Sequence, residues 1–400
     1  MCRRLAVAVV LALVAGIVPI LLVDAQPASG QAATQTQFTQ PGFTDTLVTN
    51  VDAPTALAFT PDGRLLITNQ QGQLRVYDDD RLLPTPALNI SGRVCANSER
   101  GLLGVAVDRE FAANRYVYLY YTANTGSRCV NRVSRFVLGN DNVARDERIL
   151  LNNMYSGTNH NAGDVKVGKD GLIYASIGDG GRPRDARNKS VLLGKVLRVA
   201  RDGSIPASNP YRGSGTARCG ANGQASPGVK CQEIFASGFR NPFRMGFDPN
   251  YASTRFFVND VGQTKWEEVN LARAGADYGW DLREGPCAKD SYTVGCGAAP
   301  AGLTNPIYSY KHSTNCSSIT GGVVLPNGSW PGAVNSSYLF GDFVCGRIFK
   351  LTQTSTGFKP STFAYNMEGG GPVALTFGPD NALYYTTYAG GGIHRISHNP

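Results

Sequence analysis

A strand–turn–strand unit recurs six times along the 400-residue chain, and this repetition limits the possible fold more than any other feature. Each copy begins with an alternating apolar run, passes through a turn rich in Pro, Asp, Asn or Gly, and ends in a second apolar run. Such period-2 alternation interrupted by short polar breaks is typical of β-hairpins. The copies begin at Ala56, Leu103, Asp164, Arg244, Gly321 and Val373.

A single hairpin of this kind cannot bury its apolar face, so the copies must pack against one another. Their spacing leaves room for four strands per unit, which predicts an all-β chain folded as a six-bladed β-propeller. We expect the two ends of the chain to share one blade, because this closes the ring and removes exposed edges. A β-sandwich is the alternative fold, but it does not explain six similar units.

The N-terminus has the features of a secretory signal. Arg3 and Arg4 precede an apolar run over residues 5–23, and small residues follow from Ala25. This order is typical of a cleaved signal peptide, with an uncleaved membrane anchor as the alternative. The predicted organisation is a signal peptide and leader over 1–32, a flexible linker over 33–45, and the propeller over 46–400.

Eight of the nine cysteines lie beyond the predicted signal peptide. An even number of cysteines in an exported chain indicates disulfide bonds, and it favours a secreted or cell-envelope location without stable membrane insertion after cleavage. Zinc is a weaker alternative, because the chain has no C-x-x-C pair and only four histidines. Connectivity stays open, but the simplest arrangement is sequential: Cys95–Cys129, Cys219–Cys231, Cys287–Cys296 and Cys316–Cys345.

The charge of the chain is positive but dispersed. There are 38 Lys and Arg residues against 30 Asp and Glu, a formal net charge of +8, and no block of basic residues. This pattern does not predict a nucleic-acid partner. It is compatible with an ordinary solvated surface or with attraction to an anionic cofactor or to the cell envelope.

Two loop segments contain residues suited to chemistry. His160 lies in a polar, Gly-rich turn just before the third copy, and imidazole is suited to proton abstraction near neutral pH. Arg240 and Asn241 precede Pro242, and a guanidinium offers a rigid fork of donors to paired oxygens. The alternatives are a capping histidine and an arginine that only joins loops.

A third segment is rich in oxygen ligands. Residues 259–270 and 275–280 bring carboxylates, amides and loop carbonyls in quick succession, which is the ligand type that Ca²⁺ prefers. The spacing is not that of an EF-hand, and a solvated polar hairpin is the alternative.

Taken in order, these segments resemble the soluble, pyrroloquinoline-quinone (PQQ)-dependent glucose/sorbosone (aldose sugar) dehydrogenase family. The likeness extends over roughly residues 45–397, and members of that family are six-bladed propellers. The matching positions are 100–107, His160, Gly163, 171–179, 194–199, 238–242, 266–270, 277–280 and 377–384.

The resemblance implies an exported oxidoreductase that uses PQQ and Ca²⁺ to oxidise a sugar and passes the electrons to an external acceptor. His160 matches the general base that takes the proton of the anomeric hydroxyl. Arg240 and Asn241 match residues beside the quinone carbonyls, where Arg240 would stabilise developing negative charge. Glu99 stands where the family commonly has a Gln near the substrate and belongs to the same expected pocket.

The resemblance also implies metal ligands. Gly262 and Gln263 match positions whose backbone carbonyls hold the Ca²⁺ bound to the quinone. Glu268 and Tyr278 match a second Ca²⁺ site present in some members. Gln263 replaces a Pro of the family pattern, which a carbonyl ligand tolerates.

The last copy departs from the family. Arginines that bind the carboxylates of the quinone are replaced by Gly370-Gly-Pro-Val373, with Lys311, His312 and Arg347 as possible substitutes. The family also includes relatives of hedgehog-interacting type whose role is binding. The alternative function is therefore a cofactor-free propeller that binds a carbohydrate or a protein partner.

Overall fold

The computed structural model describes residues 35–313, 315–332, 334–367 and 369–399. The predicted signal peptide over residues 1–32 lies outside these residues. In the described chain the helical elements are α1 (Phe111–Asn114) and two short 3-10 helices, Ser91–Arg93 and Pro183–Ala186. None of these helices has the length and apolar character needed to cross a membrane.

Six antiparallel sheets form the blades. Two strands precede them, β1 (Gln37–Phe38) and β2 (Phe43–Asn50). Blade one contains β3 (Pro54–Phe59), β4 (Leu65–Asn69), β5 (Gln73–Asp78), β6 (Arg81–Leu82) and β7 (Leu88–Asn89). Blade two contains β8 (Leu102–Val107), β9 (Tyr116–Asn124), β10 (Cys129–Leu138) and β11 (Ala144–Tyr155).

Blade three contains β12 (Val165–Val167), β13 (Ile173–Ile177), β14 (Lys195–Val199) and, after a two-stranded ribbon of β15 (Thr216–Ala217) and β16 (Lys230–Cys231), β17 (Ile234–Ser237). Blade four contains β18 (Pro242–Phe247), β19 (Phe256–Asp260), β20 (Trp266–Leu271) and, after the ribbon of β21 (Arg283–Glu284) and β22 (Cys287–Ala288), β23 (Tyr308–Lys311). Blade five contains β24 (Ile319–Val324), β25 (Tyr338–Asp342), β26 (Arg347–Thr354) and β27 (Gly357–Tyr365). Blade six contains β28 (Pro372–Phe377), β29 (Leu383–Thr387) and β30 (Gly392–His398).

The prediction of a six-bladed all-β propeller is confirmed. Each of the six repeated units supplies the first two strands of one blade. The first strands β3, β8, β12, β18, β24 and β28 contact one another in sequence around the ring, and β28 returns to β3. The beginnings of these six strands therefore meet at one end of the central axis.

The N-terminal strands close the ring. Strand β2 pairs with β30 and completes blade six, as expected for shared chain ends. Strand β1 adds to the outer edge of blade five through β27.

Within the predicted linker, residues 37–38 and 43–45 are therefore paired with strands of the propeller. Phe38 and Phe43 explain this pairing, because both pack against Phe363 with ring centroids 5.7 and 5.0 Å away. Two aromatic anchors and the open strand edges outweigh the polar composition of this segment.

The core lies between neighbouring blades, and the period-2 pattern sorts side chains onto its two sides. On β8, Val105 and Val107 pack towards blade one, whereas Ala106 between them packs towards blade three. Burial of each large apolar side chain contributes about 1.5–3 kcal/mol. Because every inner strand is buried on both faces, the position of each loop end is set by two neighbouring blades.

The four disulfides follow the sequential pairing. They join Cys95–Cys129, Cys219–Cys231, Cys287–Cys296 and Cys316–Cys345. They restrain the long insertions between strands in blades two to five, where a chain of this kind has the least regular structure.

Candidate active site

A cavity of about 470 Å³ opens at the end of the ring where the first strands begin. Its floor is formed by the second residues of four first strands, which are Thr55, Leu103, Thr320 and Val373. Loops that lead into the other two blades supply Asn159, His160, Arg240 and Asn241. A cavity on the axis of a closed ring brings together residues that are far apart in sequence.

The loop before blade three holds His160 in an unusual backbone conformation. His160 has φ +57° and Ala162 has φ +50°, both in the left-handed region that non-glycine residues rarely adopt. The Glu99 carboxylate accepts a hydrogen bond from the His160 backbone N–H at 2.6 Å. Gly178 allows this close approach, because a Cβ there would lie 2.1 Å from the carbonyl oxygen of His160.

The imidazole of His160 is oriented by a buried carboxylate. Its Nδ1 lies 2.7 Å from Oδ1 of Asp179, which is fully buried. Asp179 also accepts hydrogen bonds from Trp280 Nε1 and from the Gly181 backbone, both at 2.8 Å. A proton on Nδ1 satisfies Asp179 and leaves the lone pair on Nε2, so this pattern assigns the tautomer in which Nε2 is the free base.

The side chain of Arg240 contacts that base nitrogen. Its Nη2 donates to Nε2 of His160 at 2.8 Å, its Nε donates to Gln263 Oε1 at 2.8 Å, and its Nη1 donates to the Val261 carbonyl at 2.9 Å. None of the ion pairs in the described residues involves Arg240. In the described residues the guanidinium therefore bonds to neutral acceptors and forms no salt bridge.

Asn241 and Asp260 fix the position of Arg240. The Asp260 carboxylate accepts hydrogen bonds from the Arg240 and Asn241 backbones at 3.0 and 2.6 Å. The Asn241 side chain accepts a hydrogen bond from the Ala162 backbone at 3.0 Å, which ties this loop to the histidine loop. The base and the cation are thus held by backbone contacts as well as by their own side chains.

A group of buried carboxylates lies behind this loop. Asp260 faces Glu268 across the pairing of β19 and β20. Burial, together with the charge of Glu268, raises the pKa of Asp260 well above its ordinary value. Burial also raises the pKa of Glu268 to about 7, and the charges of Glu284 and Glu267 act in the same direction.

Two buried oxygens beside Glu268 lack hydrogen-bond partners in the described protein. Glu284 accepts four backbone hydrogen bonds through Oε1, from residues 263–266, whereas its Oε2 accepts none. Asn270 donates to Glu268 at 2.9 Å, whereas its Oδ1 has no partner. Buried oxygens left without donors next to a carboxylate with a raised pKa form a donor set that suits a hard cation.

The predicted site residues divide into two groups. The cavity is lined by Glu99, His160, Arg240, Asn241 and Gly262. Gln263 reaches this group through its side chain, which sequence analysis did not anticipate. Glu268 lies behind the cavity, and Tyr278 is buried with its hydroxyl donating to the Leu271 carbonyl at 2.5 Å, so that hydroxyl is not free to bind a metal.

The three proposed substitutes for the missing blade-six arginines do not line the cavity. Lys311 lies over the ring of Trp266, and His312 bonds to Glu267 at 2.5 Å. Arg347 is at the start of β26, outside the lining.

Sequence analysis also missed three groups, which are Asp179, Trp280 and Arg244. The Gly-Asp-Gly-Gly turn around Asp179 is recognisable in the sequence, but the contact between Asp179 and His160 is not.

Comparison with known proteins places the chain in a family. Residues 51–392 match the model of the family described as Glucose / Sorbosone dehydrogenase. The protein belongs to this family.

Three relatives illustrate its range. An uncharacterized protein, slr1608, of Synechocystis is 28% identical over 254 residues, which cover 59% of this chain and 58% of the relative. The aldose sugar dehydrogenase YliI of Escherichia coli is 28% identical over 276 residues, which cover 67% of this chain and 70% of the relative. Human Hedgehog-interacting protein is 26% identical over 230 residues, which cover 50% of this chain and 31% of the relative. The chain thus spans just over half of the Synechocystis relative.

A solved structure shows the same fold. The PQQ-bound form of aldose sugar dehydrogenase from Streptomyces coelicolor has a TM-score of 0.68 and 21% identity, with 89% of this chain and 98% of that chain covered.

Proposed function

We propose that this protein is an exported oxidoreductase that oxidises the anomeric hydroxyl of an aldose or a related sugar, with PQQ and Ca²⁺ as cofactors. The observation that carries the proposal is the contact between His160 and Arg240 at 2.8 Å, with both side chains lining one cavity. Family membership and the PQQ-bound relative support the cofactor. The four disulfides and the N-terminal sequence support export.

His160 would act as the general base. Its Nε2 takes the proton of the anomeric hydroxyl as a hydride leaves the same carbon, so the sugar loses two electrons and two hydrogens and becomes a lactone. Asp179 stabilises the imidazolium that forms and keeps Nδ1 as its donor. Bound PQQ would supply the two-electron acceptor, which an external acceptor later reoxidises.

Arg240 would change partners when the cavity fills. In the structure it occupies the lone pair of His160 Nε2, so the base is free only when the guanidinium turns to another acceptor. A quinone oxygen is such an acceptor, and the cation would stabilise negative charge there. Asn241 and Glu99 would position the bound molecules, because both already hold the histidine loop.

The residues present fit a calcium ion in two places. In the described residues, no hydrogen bond engages the carbonyl oxygens of Gly262 and Gln263, so they are available as ligands beside the cavity. Glu268, with the unpartnered oxygens of Asn270 and Glu284, would hold a second ion. The resemblance implies that Tyr278 also takes part, and its backbone carbonyl is the oxygen that would do so, because its hydroxyl bonds to Leu271. These cations would also offset the repulsion among the buried carboxylates.

Reconstitution tests the proposal. The purified protein, given PQQ and Ca²⁺, should reduce an artificial electron acceptor when an aldose is added, and an absorption titration should show quinone binding at micromolar concentration. His160→Gln should bind the quinone and lose turnover. His398→Gln, in the outer strand β30 of blade six, is the matched control and should keep its activity. Failure of the wild-type protein to bind the quinone would contradict the proposal.

A second candidate is a cofactor-free propeller that binds a carbohydrate or a protein. The uncharged stretch 370–373 and the similarity to Hedgehog-interacting protein favour it. A glycan array and a quinone titration on the same preparation separate the two: tight glycan binding without quinone binding would support this candidate.

A further inference from the structure

Arg244 is a buried arginine on the floor of the cavity. It belongs to the innermost strand β18, lines the same cavity as His160, and is 4% exposed. Its Nη2 reaches across the axis to the carbonyl oxygens of Thr55 at 2.7 Å and Leu103 at 3.4 Å, in blades one and two. Its Nη1 donates to the Phe243 carbonyl at 2.8 Å, whereas its Nε has no partner in the described residues.

No carboxylate forms an ion pair with this guanidinium in the described chain. Asp164 is the acidic group whose charge acts on it, but the Asp164 oxygens accept from the backbones of Met245 and Val165 at 2.8 and 3.0 Å. A guanidinium stays charged in a protein, and a buried charge without an anion is costly. The fold therefore holds a cation at this position against a large desolvation cost.

Apart from Asp164, which does not line the cavity, no charged side chain accompanies Arg244 on the described floor. The floor residues from the other first strands are Thr55, Leu103, Thr320 and Val373, all neutral. Among the residues that line the cavity, the charged side chains are Glu99, Arg240 and Arg244. The stretch 370–373 in blade six adds only neutral groups.

We propose that Arg244 is a carboxylate-binding residue, which receives a carboxylate of the molecule held in the cavity. The carboxylate belongs either to PQQ, which has three, or to an acidic sugar. In the first case the inference rests on the proposed function. Arg244, on the innermost strand of blade four, would then bind the quinone carboxylate in place of the family arginines that are missing at 370–373. An arginine matches a carboxylate with charge-assisted hydrogen bonds, and the buried Nε–H is a donor without a partner in the described residues.

The test compares two forms of the quinone. PQQ and its trimethyl ester are titrated into the full-length protein with Ca²⁺, by absorption and by calorimetry, so the readout is binding rather than turnover. The wild-type protein should prefer the free acid. Arg244→Met should weaken PQQ binding about 10- to 100-fold, the loss expected for a buried charged hydrogen bond, and leave binding of the ester nearly unchanged. Arg244→Lys keeps the charge and should recover part of the affinity.

Controls separate the local effect from a general one. Arg145→Gln removes an exposed arginine, paired with Asp141 on blade two, and should change neither titration. D-gluconate, titrated without quinone, tests the second source of the carboxylate. Because Arg244→Met removes bonds between blades, its thermal unfolding is measured first. The comparison of PQQ with its ester on the wild-type protein needs no variant.

Each outcome decides between the possibilities. Equal binding of PQQ and its ester by the wild-type protein would overturn the role of Arg244 and leave the proposed function standing. Binding of D-gluconate that Arg244→Met weakens, without any quinone binding, would support the carboxylate site and contradict the proposed function. If the wild-type protein binds neither PQQ nor D-gluconate, the role of Arg244 and the proposed function are both overturned.

Discussion

The two ends of the propeller ring are built from the same repeated unit, yet they differ in how their charged side chains are paired. At the turn end, where the first and second strands of each blade join, acidic residues are paired. The pairs are Asp62 with Arg64 and Arg115, Asp108 with Arg201, Asp248 with Arg255, and Asp380 with Arg395. At the entrance end, where the cavity opens, no ion pair among the described residues involves Arg240 or Arg244, and the buried carboxylates of Asp260 and Glu268 lie behind the Arg240 loop.

The pKa values record this difference. Burial raises the pKa of Asp62, but hydrogen bonds from Arg64 and Thr60 outweigh it and lower the value to about 2. Burial also acts to raise the pKa of Asp108, but hydrogen bonds from Tyr118 and other partners outweigh it and lower that pKa. At the entrance end, burial prevails and raises the pKa of Glu268 to about 7.

The turn end therefore has the paired charges expected of a stabilising surface, whereas the described entrance end holds two arginines that bond only to neutral acceptors. A second cavity, of about 650 Å³, supports this distinction. It lies at the turn end beside Arg201 and Glu110, but these two residues are already paired with each other at 2.8 Å.

The largest expected effect is on catalysis, from Asp179→Asn at the entrance end. An amide cannot accept the Nδ1 proton in the same way, so Nε2 becomes protonated and the base is lost. Turnover with saturating quinone should fall by about 10²- to 10⁴-fold. Steady-state rates over a range of pH measure the change in turnover, and the midpoint of urea unfolding measures any change in stability. A fall in stability with intact turnover would show that Asp179 belongs with the structural carboxylates.

At the turn end, Asp108→Asn should lower the free energy of unfolding by about 2–4 kcal/mol at pH 7. The carboxylate is fully buried and accepts hydrogen bonds from Tyr118, Asn114 and Arg201. Because its folded-state pKa is lowered, the contribution is present above about pH 4 and disappears as pH falls further. Urea unfolding at pH 7 and pH 3 checks this, and an equal loss at both values would contradict it.

Glu268 should show the opposite dependence on pH in calcium-free protein. Its folded-state pKa lies above the ordinary value of 4.5, so the folded state keeps a proton that the unfolded state releases. Stability should therefore fall as pH rises from about 4.5 to about 7. Glu268→Gln should stabilise the calcium-free protein by about 1–3 kcal/mol at pH 8 and by little at pH 4.

Calcium provides the control for this prediction. Added Ca²⁺ should raise the unfolding temperature of the wild-type protein at pH 8 and should not raise that of Glu268→Gln to the same extent. An identical calcium response in the two proteins would remove Glu268 from the metal site.

The smallest effect is expected from Asp62→Asn. The Asp62 side chain is 45% exposed, so solvent screens its ion pairs and the loss at pH 7 should be at most about 1 kcal/mol. The difference from wild type should shrink as pH falls from about 4 towards 2, and also in 1 M salt. Thermal unfolding at low and high salt measures it, and an effect as large as that of Asp108→Asn would break the distinction between exposed and buried pairs.

Several features of the fold could be predicted from the sequence. The period-2 pattern of the six copies is a local property, because alternation alone decides which side chains face each neighbouring blade. Ring closure followed from the need to remove strand edges, and β2 pairs with β30 accordingly. The pairing of residues 37–38 and 43–45 could not be predicted, because composition does not reveal that Phe38 and Phe43 contact Phe363 in blade five.

The candidate site divides in the same way. His160 and Arg240 were singled out by residue type and by resemblance, since their loops carry recognisable patterns. Asp179 and Trp280 orient the histidine from positions 19 and 120 residues away along the chain, and no local pattern indicates such contacts.

The sequence by itself determined the class of fold, the number of blades and the residue types available for chemistry, because these depend on short-range periodicity and composition. Only the tertiary structure decided which charges are paired and which are left unsatisfied. The carboxylate of Asp108 meets Arg201 at one end of the ring, while Arg244 at the other end meets only carbonyl oxygens. Pairing depends on contacts across blades, and the free energy of a buried charge is set by those contacts and not by its neighbours in the chain.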